Sequence, residues 1–176
     1  MAEDIRFRHA DPVALYRLTF DSVRDPALTA AVIDRLGAPL PQPRQPSGRR
    51  PLLIWQGPHD MLVDGLETST AALHQTIAGH PALLGDAGAG LAIFDLWGDD
   101  LDHRLSHDRP DAGLCSRVMK LAGLRVTAVW LGEAQIRVRL YVDRSHASYV
   151  SAWLTSRWNA RPDHSACRGG LSCWQR

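Results

Sequence analysis

Several things are scarce in this 176-residue chain, and each scarcity narrows its chemistry. Lysine occurs once, at Lys120, so the other nineteen basic residues are Arg. Between residues 51 and 103 there is no Lys or Arg at all. Three cysteines are an odd number and two of them lie near the end, which is no disulfide framework and fits a reducing compartment. No run approaches eighteen apolar residues, so no membrane-spanning helix is encoded. The opening MAEDIRFRHADP is charged from its third residue and lacks an apolar signal core; a cytoplasmic protein is expected. No G-x-S-x-G nucleophile motif is present. The stretch GDAGAG at 85–90 has no following Gly-Lys-Ser/Thr and does not open a helix after a strand, so it reads as a loop and not as a phosphate cradle.

What is present is charge, sorted by position. Residues 1–50 carry eight Arg against six acids, residues 51–103 carry eight acids alone, and residues 104–176 carry eleven Arg and Lys120 against five acids. The balances are +2, −8 and +7, and they sum to the net +1 of the chain. Segregated charge of this kind either pairs within one fold or presents opposite faces to partners.

With 45% hydrophobic residues the chain can bury a core of one domain. Asp11-Pro12 and Asp25-Pro26 each place an N-cap before Pro at the first helical position. Val13, Tyr16, Phe20 and Val23 follow the first; Leu28, Val32 and Leu36 follow the second, with Gly37 as a stop. This predicts a helical hairpin over 1–37. Residues 38–50, with four prolines and no hydrophobic period, read as a linker or surface loop. Three segments then alternate an apolar run, a polar turn and a second run: PLLIWQG-PHD-MLVDG, GLAIFDLWG-DD-LDHRLSH and LRVTAVWLG-EA-QIRVRLYVD. Each has a Trp just before a turn Gly and a helix candidate after it. The expected fold class is therefore α+β: a helical hairpin, then three ββα units forming one antiparallel sheet with helices on one face. The core spans 51–158 and packs with 1–37; residues 159–176 are expected to form a mobile tail.

The densest polar stretch is LWGDDLDHRLSHD at 96–108. On a helix, His103 and His107 share one face and sit close enough to share a metal; on a strand they stand too far apart. The hairpin pattern favours the strand, so no metal is expected, with Asp99, His103 and His107 as the alternative divalent-metal set. His59-Asp60 and the Asp95/Glu133 pair are weaker hydrolase candidates. Cys115 falls on the apolar side of its predicted helix. His164, Cys167 and Cys173 lack a second ligand pair for zinc. In QIRVRLYVDR, the apolar Ile136, Val138, Leu140 and Val142 alternate with Arg137, Arg139, Tyr141 and Asp143. This predicts a buried face backed by an Arg/Tyr face, with Arg125 from the partner strand. Arg and Tyr on an open sheet suit an anionic macromolecule, nucleic acid or acidic protein. A non-catalytic binding or regulatory protein without cofactor is expected. The alternative is a metal-dependent hydrolase or phosphodiesterase at the Asp/His turns.

Overall fold

The computed structural model describes residues 5–10, 14–66, 70–98, 101–105, 113–132, 137–158 and 161–162. Ten strands form two sheets. The strands are β1 (Arg6–Ala10), β2 (Leu15–Phe20), β3 (Leu52–Gly57), β4 (Asp60–Asp64), β5 (Ala82–Asp86), β6 (Leu91–Trp97), β7 (Cys115–Leu121), β8 (Leu124–Trp130), β9 (Arg137–Asp143) and β10 (Arg161–Pro162). Helices are α1 (Pro26–Leu36), α2 (Thr70–Ile77), the short α3 (Leu101–Leu105) and α4 (Ala147–Arg157). The larger sheet runs β10-β1-β6-β9-β8-β7 and the smaller β3-β4-β2-β5. All pairings are antiparallel except that of β10 with β1.

Three apolar clusters define four layers. Phe94, Leu96, Leu140 and Val142 of the larger sheet pack beneath Val150 and Leu154 of α4. Leu18, Leu53, Val63 and Leu84 of the smaller sheet pack beneath α1 and α2. Between the sheets, Leu15, Leu52, Ile54 and Leu62 meet Ile93, Val129 and Tyr141. Strands β6 and β9 are thus buried on both faces.

The expected helical hairpin at 1–37 is overturned, because the first two elements are strands. In β2 the apolar residues serve two faces: Leu18 and Phe20 point toward the helices, and Leu15 toward the other sheet. Val23, the expected end of a helical stripe, is 86% exposed. A strand suits Tyr, Thr and Phe in a two-sided core better than a helix does. Local capping does hold at α1, where Asp25 accepts from the Leu28 amide at 2.9 Å and Gly37 closes the helix at φ +66°.

The α+β series of three ββα units on one sheet is overturned as well. The β3–β4 and β8–β9 hairpins lie in different sheets. The middle hairpin does not form, because LDHRL is helix α3 and β6 pairs instead with β1 and β9. The helix expected from Leu114, Val118 and Leu121 is strand β7. Ala122 and Gly123, at φ +54° and +82°, turn it directly into β8; two successive positive φ values mark a tight hairpin turn. Cys115, Met119 and Leu121 then line one face at period two and join the α4 core. The Pro-rich 38–50 loop is pinned by backbone: Ser47 and Leu53 exchange hydrogen bonds, and the Arg44 carbonyl accepts from Ser116 N at 3.0 Å. No helix among the described residues is long and apolar enough to cross a membrane.

Candidate functional site

The densest set of charged side chains lies between the sheets and is built by strand register. Asp95 in β6 stands opposite Arg8 of β1 on one side and Arg139 of β9 on the other. Arg139 grips it through a fork, Nε to Oδ1 at 2.7 Å and Nη2 to Oδ2 at 3.0 Å. Arg8 Nη2 donates to Oδ2 at 2.9 Å, and Arg137 Nη2 at 3.2 Å. The remaining Arg139 nitrogen, Nη1, crosses to Asp64 Oδ2 of the smaller sheet at 2.7 Å. The same oxygen accepts from the Tyr141 hydroxyl at 2.5 Å. A planar guanidinium can make both bonds at once because its donors are fixed in a fork.

Burial is deep, with Asp95 0% exposed, Tyr141 3% and Arg139 5%. Burial by itself pushes the Asp95 carboxyl up, but Arg139, then Arg137 and Arg8, outweigh it and hold it at about 2. For Arg139, burial acts against the charge and Asp95 more than restores it, leaving the group well above its ordinary value. Burial and then Asp64 push the Tyr141 hydroxyl well above its ordinary range. Asp95 and Arg139 are therefore ionised and Tyr141 neutral at neutral pH. None of the three is poised to exchange a proton there, which general acid–base work requires. Their geometry ties one sheet to the other.

The four residues expected on one open face separate. Arg125 is exposed on β8, Arg137 is half-buried, and Arg139 and Tyr141 are interior. The alternation in β9 is as expected, but a second sheet covers its polar face. Asp64 was not singled out by the sequence. Asp95 was, but as a hydrolase acid paired with Glu133; its place in the apolar run LAIFDLW was the signal that a cation must lie nearby.

The Asp/His candidates are placed in part. Asp99 and His107, with the side chain of His103, lie outside the described residues; so do Glu133, His164, Cys167 and Cys173. Asp60 is held by Arg17 through both oxygens and by Thr19 Oγ1 at 3.4 Å, and His59 Nδ1 stands 3.8 Å from Asp21. They border a pocket of about 140 Å³ shared with Phe20, Pro41, Trp55 and Met61. That is small beside the roughly 300–1,000 Å³ of ligand sites. Among the described residues, no three His, Cys, Asp or Glu side chains gather to hold a metal ion.

A second basic set lies on the β7–β8 hairpin. Lys120 stands opposite Arg125, and both are exposed; Arg117 is half-buried on the other face of β7. Between residues 113 and 132 there is no Asp or Glu. None of these three cations has a carboxylate partner among the described residues.

No family model matches the sequence, and no curated protein matches it. Among solved structures the chain is similar to a chain of the heterotetrameric sarcosine oxidase from Corynebacterium sp. U-96 in complex with pyrrole 2-carboxylate. The TM-score is 0.73 at 19% identity, over 88% of this chain and 84% of that one. It is also similar to the glycine cleavage system aminomethyltransferase T from Bartonella henselae, with a TM-score of 0.60 at 10% identity. That match covers 90% of this chain but only 47% of the aminomethyltransferase, so the chain spans about half of its length. At these identities the likeness is one of fold.

Proposed function

We propose that this chain is a non-catalytic binding protein that serves in a hetero-oligomeric assembly and meets an acidic protein partner through its β7–β8 hairpin. The observation that carries this reading is the exposed Lys120–Arg125 pair, with Arg117 nearby and no acid from 113 to 132. Cations without local carboxylates favour a partner that supplies them, and they steer its approach. The interior Arg139–Asp95–Asp64–Tyr141 cluster supports the non-catalytic part, because its groups are committed to one another. The solved structure of similar fold over most of its length belongs to a heterotetramer, which agrees with a role inside an assembly. An acidic protein is favoured over nucleic acid because Tyr141, the aromatic expected to stack on bases, lies in the core.

The test is fluorescence anisotropy of labelled poly-glutamate and of single- and double-stranded DNA at low salt. Poly-glutamate should bind, weaken as salt screens the contact, and lose about tenfold in affinity or more in the Lys120→Glu plus Arg125→Glu variant. DNA binding tighter than poly-glutamate through the same two residues would reassign the partner to nucleic acid. Binding of neither polymer would remove the reading.

A further inference from the structure

The hairpin offers more than charge, because β7 is an outer strand of the six-stranded sheet. In an antiparallel ladder, alternate residues turn their N–H and C=O groups away from the neighbouring strand. The amide of Ser116 faces that outer side, since it donates to the carbonyl of Arg44 in the Pro-rich loop at 3.0 Å. The backbone groups of Val118 and Lys120, two and four residues on, point the same way. Among the described residues, no further backbone group pairs with that edge. The loop covers one end and goes no further: Pro43 and Pro46 stand on either side of Arg44 and Gln45, and proline has no N–H to continue a ladder. Among the described residues, a window over 117–121 stays open.

We propose that an extended acidic segment of a partner protein adds to the larger sheet along β7, pairing with the backbone of Val118 and Lys120. This rests on the binding role proposed above and names its mode. The side chains beside the window define the occupant. Val118, 44% exposed, and Lys120 lie on one face with Arg125 and Thr127, while Arg117 and Met119 lie on the other. An added strand meets an apolar position at Val118 and cations at Lys120 and Arg117 on opposite faces. Acidic side chains on both its faces, around an apolar residue, complement that pattern. A second copy of this chain does not: β7 carries Arg117 and Lys120 and no Asp or Glu, so β7 against β7 would gather like charge with no carboxylate to offset it. Lysine on an edge strand ordinarily discourages chance pairing. The same charge admits an acidic strand selectively, by the logic of attraction to one partner and repulsion of others.

The experiment is an NMR titration of the full chain with three peptides: alternating Glu and Val, the same peptide N-methylated at alternate residues, and alternating Lys and Val. The Glu–Val peptide should bind and slow amide exchange at Val118 and Lys120. N-methylation should weaken it about tenfold or more, since it removes the ladder bonds. The Lys–Val peptide should not bind. Lys120→Glu in the protein should weaken the Glu–Val peptide by about tenfold, and the N-methylated peptide keeps the test valid if that variant folds poorly. If poly-glutamate and both Glu–Val peptides bind equally well whether methylated or not, the contact is charge alone and strand addition is wrong, while the binding role stands. If no acidic ligand binds, both are wrong. Protection at residues other than Val118 and Lys120 also overturns the proposal.

Discussion

The C-terminal third of the chain sets its cations in two environments that are alike in sequence and opposite in consequence. In β9, Arg137 and Arg139 alternate with apolar residues, as do Lys120 in β7 and Arg125 in β8. The β9 pair lies between two sheets and is gripped by Asp95 and Asp64. The β7–β8 pair lies beyond the second sheet and meets solvent. Alternation, as in β9, reports which residues differ and not what covers each side. The first setting uses charge for cohesion between layers; the second leaves it exposed. The −8 middle segment feeds the first setting: its Asp60, Asp64 and Asp95 all pair with arginines from the two flanking segments.

The enclosed setting is most sensitive at Asp95. Asp95→Asn leaves three arginines around an uncharged amide, and removing one partner of a buried ion pair typically costs about 3–5 kcal/mol. Urea unfolding followed by Trp fluorescence should show that loss. A variant within experimental error of the wild type would mean that the cluster does not hold the sheets together.

Acid offers a subtler break at the same residue. The folded Asp95 carboxyl sits at about 2 against an ordinary 3.8, so it is depressed. A depressed carboxyl contributes stability that is fully present above its unfolded value and is lost as pH falls through the folded one. The loss from Asp95 should therefore fall between roughly pH 4 and pH 2 and amount to about 2 kcal/mol. Stability measured against pH should slope upward across that window in the wild type and less steeply in Asp95→Asn. Parallel slopes would assign the acid sensitivity to other carboxylates.

The exposed hairpin cations should have the smallest effect on stability. Lys120→Ala and Arg125→Ala remove exposed cations without a carboxylate partner among the described residues, so each should change stability by within about 0.5 kcal/mol. Thermal melts of the two single variants measure it. A loss of several kcal/mol from either would show that the hairpin charge is structural, as in β9.

Much of the local structure was legible in residues a few positions apart. Asp25, Pro26 and Gly37 delimit α1, and the runs flanking GPHD and the third polar turn form the β3–β4 and β8–β9 pairs. The candidate site was legible in pieces: Arg139 and Tyr141 on one face, and Asp95 as a notable acid, though read there as a hydrolase candidate. Their meeting was not, because Arg8 is 87 residues from Asp95 and Asp64 is 75 from Arg139. The segment 114–121 shows why the period alone misled. Leu114, Val118 and Leu121 fit a helix, while Cys115, Met119 and Leu121 fit a strand, and the neighbouring β8 selects the second.

The caps of α1 and the period-two alternation of β9 are written into the local sequence, because they depend on backbone preferences and side chains within a few residues. Long-range packing set the rest: that the first forty residues open with strands, that the middle hairpin gives way to the β1–β6–β9 pairing, and which polar face is enclosed. The physical reason is that covering a face is a long-range event. The sheet of β2–β5 lies over Arg139 and Tyr141 and stops short of Lys120 and Arg125, and no property of those four residues alone records where that sheet ends.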